Sequence, residues 1–324
     1  MISKAESNVL KAISIIVIVL NHFWAWIYKP KDIVSMLSGS FCQAAVGMFL
    51  FLSGYGIMCS YQQNGIKNYW KKRFRKIYIP FLIISTMEFF MKLWQYRNNI
   101  GDMYIKSTLL SLVGLYPNNT IDGTFWFITF ILMQYFIFWI AFRFNLKKSI
   151  QWIVFTMASI GGYVIFKNKF IWVRESDIYG YCFYLGVLFV ELKDKYVVKD
   201  GGAQILLVCI CLLLYIVSLN ECDIPLVWWL NGAVLIILEI IVIHTLSGKI
   251  HLKRNVLISV GKMSYELYLT EGVFFFHKIL YDLAGYNYWG LIIHVMLICM
   301  ISFALRQIEV TATKFLDGVM KDVK

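Results

Sequence analysis

Apolar residues in this chain come in long runs, separated by short polar segments, and not at amphipathic spacings. Ten runs stand out, at roughly 8–28, 39–60, 77–95, 123–144, 149–167, 177–191, 203–219, 226–247, 264–281 and 287–308. About 20 residues of helix cross a hydrocarbon core about 30 Å thick, so each run predicts a membrane-spanning helix. The sixth run is the shortest. The segment 103–117 is short and half polar, which predicts an interfacial or re-entrant piece and not an eleventh span. The first run is of spanning length and no small-residue cleavage site follows it, so it is expected to stay as the first helix. The pattern predicts an all-α integral membrane protein with about ten transmembrane helices.

Composition agrees. Of the 324 residues, 60% are hydrophobic and 15% charged, and the mean hydropathy is +0.66. A soluble chain of this size carries more charge. With four prolines, no Gly/Ser-rich linker and no internal repeat, residues 1–324 are expected to form a single membrane domain. The net charge of +12 raises nucleic acid as a partner, but the distribution of charge argues against it. With the N-terminus inside, 22 of the 31 basic residues fall on the inner side and eight on the outer, with Lys92 inside a span. Basic loops resist translocation, so both termini are expected in the cytoplasm of a multi-pass cell-membrane protein. The seven cysteines lie mostly in apolar runs, odd in number and without a C-x-x-C pair. Neither a disulfide framework nor a metal site is expected. No GxGxxG, P-loop or HExxH pattern occurs.

The first run carries Lys11 and His22. Eleven residues at 100° each make three turns plus about 20°, so the two side chains share one face. They lie about 16 Å apart along the axis, with Lys11 on the cytoplasmic side. This suits a long ligand with an anionic head and a reactive tip, such as acyl-coenzyme A. Lys11 would hold phosphate, and His22 would act as general base. The bland alternative is a snorkelling lysine and an interhelical histidine hydrogen bond. Depth favours function for His22, because ionisable groups inside a membrane are costly. Asn21 is a weaker candidate for orienting the ring.

Four further stretches draw notice. The second run ends "FLFLSGYGI", where Ser53, Gly54 and Tyr55 would let helix backbones approach closely. The loop before the third run reads "RFRKIYIP" within a cluster of six cations, and Arg73, Arg75 and Lys76 would clamp phosphate or contact anionic membrane lipids. The fourth and ninth runs open "DGTFWF" and "VGKMSYELYLTEG". Together these features resemble acyltransferase family 3, the integral-membrane O-acyltransferases of bacterial surface carbohydrates. Lys11 and His22 match its basic residue, ten positions, then histidine. Ser53-Gly54-Tyr55 matches its Ser-Gly-Phe/Tyr helix end. Arg73 and Lys76 match its R-x-x-R, and Trp126 and Phe127 its Trp-Tyr/Phe-Leu. Gly261 to Leu269, with Tyr265 and Tyr268, match its Gly-x-x-Ser-Tyr-x-x-Tyr-Leu.

The resemblance implies ten helices with both termini inside. It also implies acyl transfer, usually of acetyl from acetyl-coenzyme A, to a carbohydrate hydroxyl, with an essential His22 and no tightly bound cofactor. Many relatives carry an added esterase-like domain, and this chain is expected to be a stand-alone version. Two positions depart from the pattern: Lys76 stands where arginine is usual, and Glu271 where a histidine often stands. Glu271 is open to four readings: it replaces that histidine in catalysis beside His22, orients His22, binds acceptor hydroxyls, or forms a structural ion pair. Elsewhere, Glu88 and Lys92 are spaced as an i, i+4 ion pair, and Glu239 and His244 do not share a face. His277 and His294 read as packing residues, and Trp24, Trp26 and Tyr28 as an aromatic belt. Two rival readings remain, a transporter or flippase for a lipid-linked sugar or exported metabolite, and a scaffold subunit of a polysaccharide synthase.

Overall fold

The computed structural model describes residues 2–24, 33–97, 105–116, 121–169, 180–192, 206, 209–210, 225–247, 256–277, 282 and 285–322. Among the described residues every regular element is helical. In chain order these are α1 (Lys4–His22), α2 (Ile33–Asn64), α3 (Tyr69–Arg73), α4 (Ile79–Gln95), α5 (Ile105–Leu112) and α6 (Trp126–Phe142). They continue with α7 (Lys148–Lys169), α8 (Tyr181–Leu192), α9 (Pro225–Ser247), α10 (Val256–Lys262), α11 (Ser264–His277) and α12 (Tyr288–Asp322). Among the described residues, six stretches are long and apolar enough to cross a membrane: Lys4–His22, Ala44–Asn64, Tyr69–Trp94, Gly123–Phe142, Lys148–Phe166 and Tyr288–Thr311. The chain is a multi-pass helical membrane protein. The expected span at 203–219 lies almost wholly outside the described residues, as do Trp26 and Tyr28; so does the side chain of His277.

One expectation needs correction. The basic stretch before the third span is helical and not a loop. After Gly65 and Asn68, both with left-handed φ, the chain enters α3 at Tyr69, which is buried. A π-helical turn, Phe74–Tyr78, then joins α3 to α4, and the Ile79 amide reaches back to the Phe74 carbonyl. Pro80 gives the reason. In an ordinary α-helix its ring would press on the Lys76 carbonyl and its missing N–H would break the ladder. A widened turn relieves both effects and lets the helix continue.

The chain divides into two compact units, Met1–Gly65 with Ile137–Lys262, and Ile66–Phe136 with Met263–Lys324. In the first unit α2 packs on α8 through two reciprocal glycines. A Cβ at Gly54 would strike the Phe183 carbonyl oxygen, and one at Gly186 the Phe51 carbonyl oxygen. Close backbone approach of this kind supplies the dispersion contacts that hold helices together in lipid. Aromatic rings fill the space nearby, with Phe155 stacked on Tyr184 at 5.2 Å and Phe138 on Phe142 at 4.5 Å. In the second unit Phe81 and Ile84 of α4 meet Phe125 and Ile128, Leu269 and Val273 of α11, and Leu305 of α12.

The half-polar segment forms α5, eight residues long, ending at Gly114 with φ of 71°. Its last carbonyls are taken up by side chains: Tyr78 Oη donates to Val113 (3.0 Å), Ser85 Oγ to Leu112 (3.1 Å) and Thr129 Oγ1 to Gly114 (2.8 Å). A helix end among apolar neighbours needs such donors, because no water is there to satisfy it.

Candidate functional site

The candidate residues fall in both units and are taken unit by unit. In the first, α1 is unbroken from Lys4 to His22, so Lys11 and His22 do lie on one helix face. Both side chains are half-buried.

Four contacts fix the start of α1. Ser3 and Glu6 form a capping box, with Ser3 N donating to Glu6 Oε2 (2.6 Å) and Glu6 N to Ser3 Oγ (3.2 Å). Glu6 Oε1 also lies 2.9 Å from Nδ1 of His244, which pairs there and not with Glu239 on its own helix. Tyr55 Oη donates to the Ile2 carbonyl at 3.1 Å. Gly261 of α10 lies against α1 so closely that a Cβ would stand 1.7 Å from the Asn8 carbonyl oxygen. Tyr55 and Gly261, from two different motifs, thus both position the helix that carries Lys11 and His22. Ser53 is half-buried on α2, next to the glycine that meets α8.

In the second unit Arg73 closes α3 and is half-buried, as is Arg75, whereas Lys76 is exposed on the π turn. The Arg73 guanidinium stands over the Tyr69 ring at 4.6 Å and the Tyr135 ring at 5.6 Å. Trp126 is half-buried at the start of α6, with Phe130 at 6.3 Å. Phe127 meets Tyr268 edge to face at 5.5 Å. The hydroxyls of the two motif tyrosines close backbone gaps. Tyr265 donates to the Ile77 carbonyl of the π turn at 2.8 Å, and Tyr268 donates to the Thr124 carbonyl.

Glu271 lies on α11, one residue before Gly272, and is only 1% exposed. A Cβ at Gly272 would be 2.0 Å from Oδ2 of Asp122, so this glycine lets the aspartate in. Asp122 Oδ1 accepts from Thr124 N (2.7 Å) and Thr124 Oγ1 (2.8 Å), and so caps the turn before α6. Glu88 of α4 lies close enough to Asp122 for the two to feel each other's charge, and Asp122 in turn feels the charge of Glu271. All three carboxyl groups are 1% exposed. The charges of Glu88 and Lys92 act on each other, as their spacing predicts, and Lys92 also sits 6.0 Å from the Tyr96 ring.

Sequence reasoning misses Asp122 and Glu88 as companions of Glu271. The local signal for Asp122 is "DGT" before an apolar run, which is a helix-capping pattern. Nothing in the sequence ties it to Glu271. Among the described residues no group of His, Cys, Asp or Glu is arranged to hold a metal ion.

A family model described as an acyltransferase domain matches residues 4–306, which covers all the candidate site residues. No curated protein and no solved structure matches the chain.

Proposed function

The chain belongs to acyltransferase family 3 over nearly its whole length, and on that premise we propose that it moves an acyl group, acetyl in the first instance, from cytoplasmic acyl-coenzyme A to a carbohydrate hydroxyl. The membrane acyltransferase class follows from the family; donor and acceptor are our reading. The observation that carries it is the unbroken α1, with a cation and an imidazole about 16 Å apart on one face. That separation suits a phosphate-rich head and a thioester at the end of a thin arm.

In this scheme His22 takes the proton from the acceptor hydroxyl as its oxygen attacks the thioester carbonyl. The C–S bond breaks, and the leaving thiolate receives the proton back from the imidazolium. Transfer through an acyl-histidine is the covalent variant of the same chemistry. Lys11 is assigned to coenzyme phosphate, as are Arg73, Arg75 and Lys76. Glu271 is assigned to an acceptor hydroxyl, with Trp126, Tyr265 and Tyr268 shaping its surroundings. The acceptor is a polysaccharide or lipid-linked sugar. We further assign ten spans with both termini in the cytoplasm, on the strength of the basic-residue asymmetry. The membrane is then the plasma membrane, and the whole chain acts as one domain with no resident cofactor.

Titration of acetyl-coenzyme A into the purified protein tests the donor. Saturable binding, with release of free thiol when a sugar acceptor is added, is expected. Export of an unmodified sugar from vesicles without any coenzyme binding would favour a transporter instead.

A further inference from the structure

The cations at 67–76 look alike in sequence, yet the fold sorts them, with the lysines exposed and Arg73 and Arg75 half-buried. Lys71, Lys72 and Lys76 are exposed, as solvated lysines at a membrane surface are. Arg73 is half-buried and held against aromatic faces. Tyr69 lies one turn before it on α3, so the ring and the guanidinium meet by helical spacing. Tyr135, from α6, supplies the second ring. Both tyrosines are buried, and Tyr69 Oη donates to the Tyr135 carbonyl at 2.8 Å, which ties the two helices together at this point. The rings satisfy the face of the guanidinium only. Its N–H groups point outward in the plane, and among the described residues no carboxylate and no hydrogen-bond acceptor takes them up. An arginine so placed has its rotamer fixed in advance and its donors left for a ligand. The planar fork of donors matches a phosphate.

We propose that Tyr69 and Tyr135 are positioning residues that hold Arg73 ready for a phosphate ester, and that this clamp is the anchoring point among the basic residues of this stretch. The ligand class rests on the coenzyme reading above. A phosphate can also come from an anionic lipid headgroup, and the test separates the two sources.

The test measures coenzyme A affinity, and the KM and kcat for acetyl-coenzyme A, on the full-length protein in uncharged detergent. Arg73→Ala is expected to weaken binding about tenfold to a hundredfold. Tyr69→Leu and Tyr135→Leu are each expected to weaken it about threefold to thirtyfold. Tyr69→Phe keeps the ring face and loses only the hydroxyl bond, so its loss is smaller than that of leucine. Arg73→Lys keeps the charge without the planar fork and falls between wild type and alanine. It reports on the clamp even if a leucine variant fails to fold. The effects fall mainly on KM. If Arg73→Ala weakens binding while Arg73→Lys and both leucine variants bind like wild type, the clamp is overturned and the donor assignment stands. If the protein binds coenzyme A equally well with and without Arg73, the assignment of Arg73 itself is overturned. A loss seen only as weaker retention of phosphatidylglycerol in mixed nanodiscs would assign the clamp to lipid and overturn the coenzyme anchor.

Discussion

Replacing Gly261 by alanine puts a methyl group where Asn8 already stands. The Cβ would lie 1.7 Å from the Asn8 carbonyl oxygen and 2.5 Å from its carbon, whereas real Cβ atoms essentially never approach within 3.0 Å. The obstacle is backbone, so no side chain can swing aside. α1 and α10 must separate by about 1.3 Å, the difference between those distances. Overpacking of this kind costs about 1–3 kcal/mol. Alanine's better helix propensity returns up to about 1 kcal/mol, so the net effect is a loss. The displaced helix carries Lys11 and His22, and a misplacement near 1 Å can cost up to about 100-fold in rate. Gly56→Ala is the control: it lies inside α2 with nothing within 4 Å of the added methyl, so it should be neutral or stabilising by up to about 1 kcal/mol. Thermal unfolding in detergent and acyl transfer from acetyl-coenzyme A are read on both variants. Equal melting temperatures and equal rates for the two would refute the reasoning that Gly261 sets the position of α1.

Other outcomes follow from the same geometry. Gly272→Ala drives a Cβ to 2.0 Å from Asp122 Oδ2 and 2.8 Å from Thr124 Oγ1, and should lower the melting temperature more than any substitution at an open glycine such as Gly161. Tyr55→Phe removes the hydroxyl bond to Ile2 and should cost about 0.5–1.5 kcal/mol in stability, read by thermal unfolding. Gly54→Ala and Gly186→Ala should each loosen the packing of α2 on α8, and the double variant should lose less than the sum of the two, because both methyls press on one interface.

The membrane class and the six described spans were legible because a helix that crosses lipid must be long and apolar, a demand written in the sequence itself. The Lys11–His22 stripe was legible because both residues sit on one helix, where spacing determines the face. The basic stretch at 67–76 misled because charge suggested a loop. The burial of Tyr69 and the π turn ahead of Pro80 keep it helical instead. Glu88 was legible only in part. Local spacing pointed to Lys92, whose charge it feels, but its other neighbour, Asp122, comes from a distant segment with no local signature. The link between His244 and Glu6 spans 238 positions and has no local signature. Gly54 was read only as a general helix-packing position, Gly261 only as the start of a family signature, and Gly186 carried no signal. Their partners, Phe183 and Phe51 for the α2–α8 pair and Asn8 for α10, are set by the three-dimensional arrangement.

The most direct test of the central claim compares purified wild-type protein with His22→Ala. Both are supplied with acetyl-coenzyme A and a carbohydrate acceptor, and acetyl transfer is followed by mass. The account predicts acetylated product from wild type and a loss of at least about 100-fold in the variant, with a matching melting temperature. Full transfer by the variant would contradict it.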